Sequence, residues 1–372
     1  MRKCISFLDN RKIGVSIRIR NRFHIVSSGD IHVNRITIHD IAQLAGVGKA
    51  TVSRVLNDSG YVSDETRHKV TRVIREQTYI PSATARNLSL QASDTIGVIV
   101  PEADNPFFAE ILKGISGAVN SRNLTLLFCN TDNSMEKDIK SLQIMCRQQV
   151  KGLVYTPAVD YGQINKCSVI HQMLKDLRCP AVILDRPLGD LDFDGVFSDD
   201  FGGAYVATKA LIDAGHKRIG IIAGDLELSI GRERLRGFNA AMTDSGLSVE
   251  DDDVLYARFS AEESYQRTRR MLEDQAFPTA FFAANNLNAY GFLKAVFEKG
   301  MRIPHDLGFV SFDRLGNLHD LGFRFSYLDR DVIGMGAEAV RLLMERIENN
   351  VVRSGRVIFP SRLVLLGSEK LH

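Results

Sequence analysis

Apolar residues keep two different spacings along this chain, and the change falls near residue 95. Between Thr37 and Asn57 they recur every three or four positions. Ile38, Ile41, Leu44 and Ala45 line one face of a first helix, and Val52, Val55 and Leu56 form the stripe of a second. Thr37 followed by Asp40 has the spacing of a capping box, and Gly46 between the helices turns without steric cost. Ser63, with Asp64 and Glu65 behind it, predicts a third helix with acids at the positive end of its dipole. Val70, Val73 and Ile74 give its apolar face, which should pack across the first two helices. Tyr79-Ile80-Pro81 ends it, because the residue before proline avoids helical angles.

Beyond residue 95 short continuous apolar runs alternate with helical patterns. The runs are IGVIV (96–100), LTLLFCN (124–130), GLVYTP (152–157), AVILD (181–185), RIGIIAG (218–224), AFFAAN (280–285) and LGFVSFD (307–313). Such runs predict parallel strands covered on both faces. There are too many for one sheet with a single switch point, so two doubly wound α/β subdomains with a cleft between them are expected. Past residue 336, AEAVRLLMERIENN reads as one amphipathic helix before a final strand. No leucine heptad follows it, so a terminal coiled coil is unsupported.

Composition narrows the class without deciding it. The chain has 372 residues, 44% hydrophobic and 25% charged, enough for two or three ordinary globular domains. No run of eighteen apolar residues predicts a membrane span. The five cysteines are scattered and contain no C-x-x-C pair, which fits reduced thiols in a cytoplasmic protein. A net charge of only +2 is what a small basic head averaged over a large neutral body would give.

The two short helices carry the most specific signal. The outer face of the second bears Lys49, Ala50, Thr51, Ser53 and Arg54, so the pair reads as a helix-turn-helix with a small, polar and basic surface. GVGKAT is no phosphate-binding loop, since Gln43 replaces its first glycine and Ala50 its hydroxyl. The string D-I-A-x-x-A-G-V-x-x-x-T-V-S-R-V-L-N resembles the signature of the lactose-repressor (LacI/GalR) family of transcription factors. Gly48 departs from it, because the family usually has serine there as a helix cap. The resemblance places Thr37, Lys49, Ala50, Thr51, Ser53, Arg54 and Asn57 against operator DNA.

The same resemblance extends to the C-terminus. Y-x-P-x-x-x-A-R-x-L matches the family's hinge helix, here residues 82–91, where Ser82 caps, Ala85 and Arg86 lie along the minor groove and Leu88 wedges a central base step. Residues read without the family give only a linker, because a helix this short is marginal in water. Residues 1–36 form an atypical basic extension, read as a disordered tail or as sequence upstream of the true start; the alternative is a basic arm on phosphates. The implied order is extension 1–36, helix-turn-helix domain 37–81, hinge helix 82–91 and effector and dimerisation domain 95–372. That architecture is an all-α head plus hinge helix joined to a periplasmic-binding-protein-like body of two interleaved parallel-sheet subdomains.

Polar residues at strand ends suggest what the cleft binds. Asp185 and Arg186 follow AVIL, Asn285 follows AFFAA and Asp313 follows GFVSF, all where open α/β sheets bind ligands. Arg234 lies at the start of a helix facing the cleft, and Phe107 and Phe108 can sandwich a sugar ring. These positions resemble the pattern of ribose-type sugar-binding proteins, which adds Asn105 of NPFF. Asn286 stands where that pattern has aspartate, and SYLDRD replaces T-T-x-x-Q, leaving any ligand from Asp329 or Arg330 open. His216 reads as structural. No G-x-G-x-x-G, nucleophile elbow or metal-spaced histidine cluster is present, so neither an enzyme nor a cofactor is predicted.

The reading is a cytoplasmic, homodimeric repressor of a pseudo-palindromic operator, controlled by a small-molecule effector, with a ribose-like monosaccharide favoured. A purine or sugar phosphate effector stays open. A sugar-binding protein without a DNA role would need a signal peptide and no head. One prediction follows from the hinge match: Leu88→Ala should lose much of the operator bend without unfolding the head. Circular-permutation gel shifts measure this, and an unchanged bend angle would refute the wedge.

Overall fold

Thr37 opens the first helix as the capping box requires. In the computed structural model its hydroxyl accepts from the Asp40 amide at 3.3 Å and its own amide donates to the Asp40 carboxylate at 2.8 Å. The structure describes residues 36–79, 93–163, 167–189, 193–274, 277–349 and 355–371. The extension up to residue 35 and the hinge positions Ser82, Ala85, Arg86 and Leu88 lie outside them. The chain divides into two units, one ending at residue 86 and the other beginning at residue 87.

The first unit holds α1 (Ile38–Ala45), α2 (Lys49–Leu56) and α3 (Asp64–Glu76). Gly46 ends α1 with φ 62°, the left-handed conformation that glycine adopts freely. Gly48 caps α2 without a side-chain hydrogen bond, so burial of Val52 in the shared core supports that helix. The core joins Ile41, Ala42 and Ala45 to Val52, Val70 and Val73, and Ser63 caps α3 through the Thr66 amide. Leu44 corrects the predicted stripe, because it is 56% exposed and Ala42 is buried in its place. At about 100° per residue, Ile38, Ile41, Ala42 and Ala45 fit one arc, and Leu44 falls well outside it.

The second unit contains two six-stranded sheets. Its elements are β1 (Thr95–Val100), α4 (Pro106–Asn120), β2 (Thr125–Asn130), α5 (Met135–Arg147), β3 (Gly152–Tyr155), α6 (Cys167–Asp176), β4 (Ala181–Leu184), β5 (Asp194–Ser198), α7 (Asp200–Asp213), β6 (Ile219–Ala223), α8 (Ser229–Asp244), β7 (Val254–Tyr256), α9 (Ala261–Met271), β8 (Ala280–Ala283), α10 (Asn286–Glu298), β9 (Gly308–Ser311), α11 (Gly316–Asp320), β10 (Ser326–Asp329), α12 (Val332–Asn349), β11 (Arg356–Phe359) and β12 (Arg362–Val364). The strand orders are β2-β1-β3-β4-β5-β11 and β7-β6-β8-β9-β10-β12. All neighbours run parallel except β12, which is antiparallel to β10. Each order has its switch point between the first and third strands of its half, where such sheets bind ligands.

All seven predicted runs are strands. The sequence reading missed β5, β7 and β10, and its one final strand is two, β11 and β12, in different sheets. Strands β5, β10 and β11 hold at most three consecutive apolar residues, and β7 and β12 are three-residue strands at the edges of the second sheet. The chain crosses between subdomains three times: from β5 into α7, from β10 into α12 and from β11 to β12. Helix α12 starts five residues before the predicted helical pattern and packs its Met335, Ala339 and Leu343 into the core of the first sheet.

Gly114 of α4 lets α12 approach closely, since a Cβ there would stand 2.0 Å from the Ile333 carbonyl oxygen. Because that neighbour is backbone, it can yield only by moving the helix. Gly114→Ala should therefore destabilise the second unit by about 1–3 kcal/mol, read as a lower urea midpoint for its unfolding.

Candidate nucleic-acid interface and ligand cleft

In the first unit the structure keeps the predicted reading face open. Lys49, Ala50 and Arg54 are exposed along α2, while Thr51, Ser53 and Asn57 are half-buried. The Asn57 amide donates to the Ser53 hydroxyl at 3.4 Å, which ties the end of α2 to its own outer face. Two cations and a methyl group stand clear of the core, and a basic helix face of this kind can reach base edges in a major groove.

In the second unit the loops at the carboxyl ends of the strands meet in a cleft. Asn105, Phe107, Phe108, Asp185, Arg186, Arg234, Asn285 and Asp313 all line one small space of about 30 Å³, so the structure brings together every predicted cleft residue. That volume suits about two water molecules. Asn105 and Asn285 do double duty as helix caps, accepting from the Phe107 amide at 3.1 Å and the Asn288 amide at 2.8 Å. The two phenyl rings correct the predicted sandwich. They meet edge to face, 5.0 Å apart at 74°, because successive helical residues point about 100° apart.

The arginines are each held differently. Arg234 donates to Asp200 at 2.7 Å and to the Ala284 carbonyl at 2.6 Å, with its guanidinium 3.7 Å from the Phe312 ring centre. Arg330 donates to Asp313 and, at 2.9 Å, to the Ser198 hydroxyl, and lies between the rings of Phe107 and Phe312. Arg186 reaches back to Asn133 and the carbonyls of Pro157 and Ala158. Its Nε is buried without a partner, and so is Oδ1 of neighbouring Asp185. Asp185 is also held at φ 63°, a conformation unfavourable for a side-chain-bearing residue.

Several contacts bridge the subdomains. The Asn286 side chain donates to Asn105 at 2.9 Å. Arg330 joins Asp313 on one side to Ser198 and Phe107 on the other. At the outer edge Arg232 donates to Asp160 and Gln163, both at 2.6 Å. The cleft is therefore closed, with polar groups of both lobes paired across it.

The match to known proteins follows the same two units. The profile described as "Bacterial regulatory proteins, lacI family" matches residues 37–82, and "Periplasmic binding proteins and sugar binding domain of LacI family" matches residues 93–364. The chain belongs to the LacI family of bacterial regulatory proteins. The HTH-type transcriptional repressor PurR of Pasteurella multocida (strain Pm70) is 34% identical to it over 337 residues, 90% of this chain and 98% of that protein. The ribose operon repressor of Haemophilus influenzae is 33% identical over 313 residues, 84% and 92% of the two chains. A structure of the transcriptional regulator CelR in complex with cellobiose superposes with a TM-score of 0.67 at 29% identity, covering 90% of this chain and all of the other. This LacI-family protein is a DNA-binding transcriptional repressor with an effector domain, and these relatives are regulators rather than enzymes.

Four features of the cleft escaped the sequence reading. Asp200 follows β5, which carries no strand signal, yet it neutralises Arg234. Asn286 replaces an expected aspartate and becomes a bridge between lobes. Arg330 settles the open question at SYLDRD, since it and not Asp329 lines the inner space. Asp138 is wholly buried behind the cleft and accepts from Tyr155, Tyr161 and the Ala158 amide at 2.7, 2.8 and 3.0 Å, so it fixes the loop whose carbonyls hold Arg186. Burial raises its carboxyl above the usual range. His216 is buried between Thr279 and the Glu369 carbonyl, a structural place, and burial lowers its imidazole. Among the described residues no group of three or more histidine, cysteine or acidic side chains could hold a metal, and no helix is long and apolar enough to cross a membrane.

Two predictions arise here. Arg54→Ala should remove about 1–3 kcal/mol of discrimination at one base pair and leave salt-sensitive non-specific binding; an unchanged motif in selected-site sequencing would refute it. The second concerns Asp200, whose carboxyl is pushed up to about 6 by burial against the pull of Arg234. The folded form then binds a proton more readily than the unfolded form, so this group's contribution to stability rises as pH falls through 6 toward 4. Relative to Asp200→Asn, the wild type should gain about 1 kcal/mol between pH 7 and pH 5, measured by urea unfolding at each pH. A constant difference would refute the shift.

Proposed function

We propose that the cleft is the effector site and that a small sugar bound there sets operator affinity. The unmet pair at Asp185 and Arg186 carries this reading. A buried acceptor and a buried donor on adjacent residues are what one hydroxyl, which both gives and takes a hydrogen bond, would satisfy. The Phe107 and Phe108 rings supply the apolar surface a sugar ring needs. Cellobiose in the CelR complex and ribose in the name of the Haemophilus influenzae repressor support a carbohydrate; the PurR relatives keep a purine as the second reading.

The proposed roles divide by unit. Lys49, Ala50, Thr51, Ser53, Arg54 and Asn57 face DNA, with Thr37 at the head of α1, and Ser82, Ala85, Arg86 and Leu88 form the hinge contact. Asn105, Phe107, Phe108, Asp185, Arg186, Arg234, Asn285 and Asp313 hold the effector. A dimer in the cytoplasm fits this use, because a pseudo-palindromic operator presents two half-sites. Ligand entry requires the lobes to part, since the inner space in the closed form is too small for a sugar ring. A ligand that favours one arrangement of the lobes shifts the equilibrium toward it.

The coupling is reciprocal and of roughly 1–3 kcal/mol. Arg234 and Asp313 are poor probes of it, because removing either strands a buried partner, Asp200 or Arg330. Asp185→Ala is the better test. It should weaken the sugar response at least tenfold while ligand-free operator affinity stays within twofold of wild type. Operator titrations across effector concentration measure both, and a mutant responding at the wild-type concentration would place the pocket elsewhere.

A further inference from the structure

The cleft continues past the inner arginines. Glu102, Arg186 and Phe259 wall the inner space on one side and a second chamber of about 600 Å³ on the other. That chamber alone lies in the size range of small-molecule sites, roughly 300–1,000 Å³. The site is therefore built in two parts, a tight polar interior and a roomy outer space sharing one wall.

The charge of the two parts follows from which groups are already paired. Inside, Arg234 is matched by Asp200 and Arg330 by Asp313. Outside, Asp160 is matched by Arg232 at 2.6 Å and Glu263 by Arg258. Among the described residues the Glu102 carboxylate accepts from the neutral side-chain amides of Asn105 and Asn133. Asp225 accepts from the backbone amide of Glu227 at 2.9 Å, and the Glu227 side chain is exposed at the mouth. Among the described lining residues, Asp185, Glu102, Asp225 and Glu227 thus face the single unmatched cation Arg186. Asp185 gives an independent sign that a ligand completes this arrangement: it is 3% exposed, it lines the inner space, and its Oδ1 has no partner.

We propose that the site takes a two-part ligand, with a neutral sugar ring in the inner space, widened as the lobes part, and a protonated amine in the outer chamber, and that it rejects phosphorylated sugars. The proposal rests on the effector-site reading above. A cleft with low-dielectric walls and one excess sign of charge concentrates its field, so an ammonium group is attracted where a phosphate dianion is repelled. Asp225 and Glu227 discriminate, because Arg258, which lies near both, is already ion-paired to Glu263 and leaves the outer end with an excess of negative charge.

Calorimetric titration of the full chain with matched glycosides tests this. Ribose, glucose and galactose are each used as both anomers of the ethyl, 2-aminoethyl and 2-phosphoethyl glycosides, so only the charge at the end of one linker varies. For the ring that binds best, the aminoethyl form should bind at least tenfold tighter than the ethyl form, and the phosphoethyl form at least tenfold weaker. In the isosteric double variant Asp225→Asn, Glu227→Gln the amine-to-ethyl ratio should fall below threefold, with thermal unfolding confirming that the variant is folded. Equal binding of the three forms, tighter binding of the phosphate, or an amine preference that survives the double variant would overturn the two-part ligand alone. Heat from none of the rings would overturn the effector-site reading and this proposal with it.

Discussion

Charge buried in the cleft has to be matched, and that requirement arranges much of the second unit. An arginine out of water is tolerated only with a partner and satisfied hydrogen bonds. Arg234 is 3% and Arg330 8% exposed, and each has its carboxylate, its second acceptor and an aromatic face. Asp200, Asp313, Ser198 and Phe312 come from both sheets and several strand ends, so the two lobes converge on these guanidinium groups. Arg186 is the exception, because its Nε and the adjacent Asp185 are left unmatched. A site that must accept a ligand has to leave some polar groups waiting for one.

The same logic shows what the sequence could and could not reveal. The helix-turn-helix was legible because its signals are local: a capping box, a glycine turn and apolar spacing. Leu44 escaped because a residue three positions from Ile41 and one from Ala45 fits the spacing rule yet lies off the arc those residues share. The seven predicted strands were legible because both faces of a parallel sheet are apolar. Strands β5, β10 and β11 were not, holding at most three consecutive apolar residues, nor were β7 and β12, three-residue strands at the edges of the second sheet.

The cleft divided in the same way. Asp185, Asn285 and Asp313 could be found because each ends a strand that sequence marks clearly. Asp200 could not, and Arg330 could be raised but not chosen over Asp329, because each follows a strand with no run of its own, and an ion pair depends on where two distant segments meet. The predicted phenyl sandwich failed for a geometric reason, since neighbouring helical residues cannot face each other across a ring. Asp138 was invisible because it lies buried behind the cleft and acts through the Ala158 loop on Arg186.

The three passages of the chain between the lobes have a consequence for inheritance. Neither lobe is encoded by one uninterrupted stretch, since α12 and β11 return to the first after the second has been made. A single crossover between β5 and α7 therefore still divides the first lobe, whose α12 and β11 lie on the far side of the cut, so neither lobe can be exchanged as one continuous cassette. Folding from a nascent chain meets the same obstacle: the first sheet lacks its last strand until residues 356–359 have emerged.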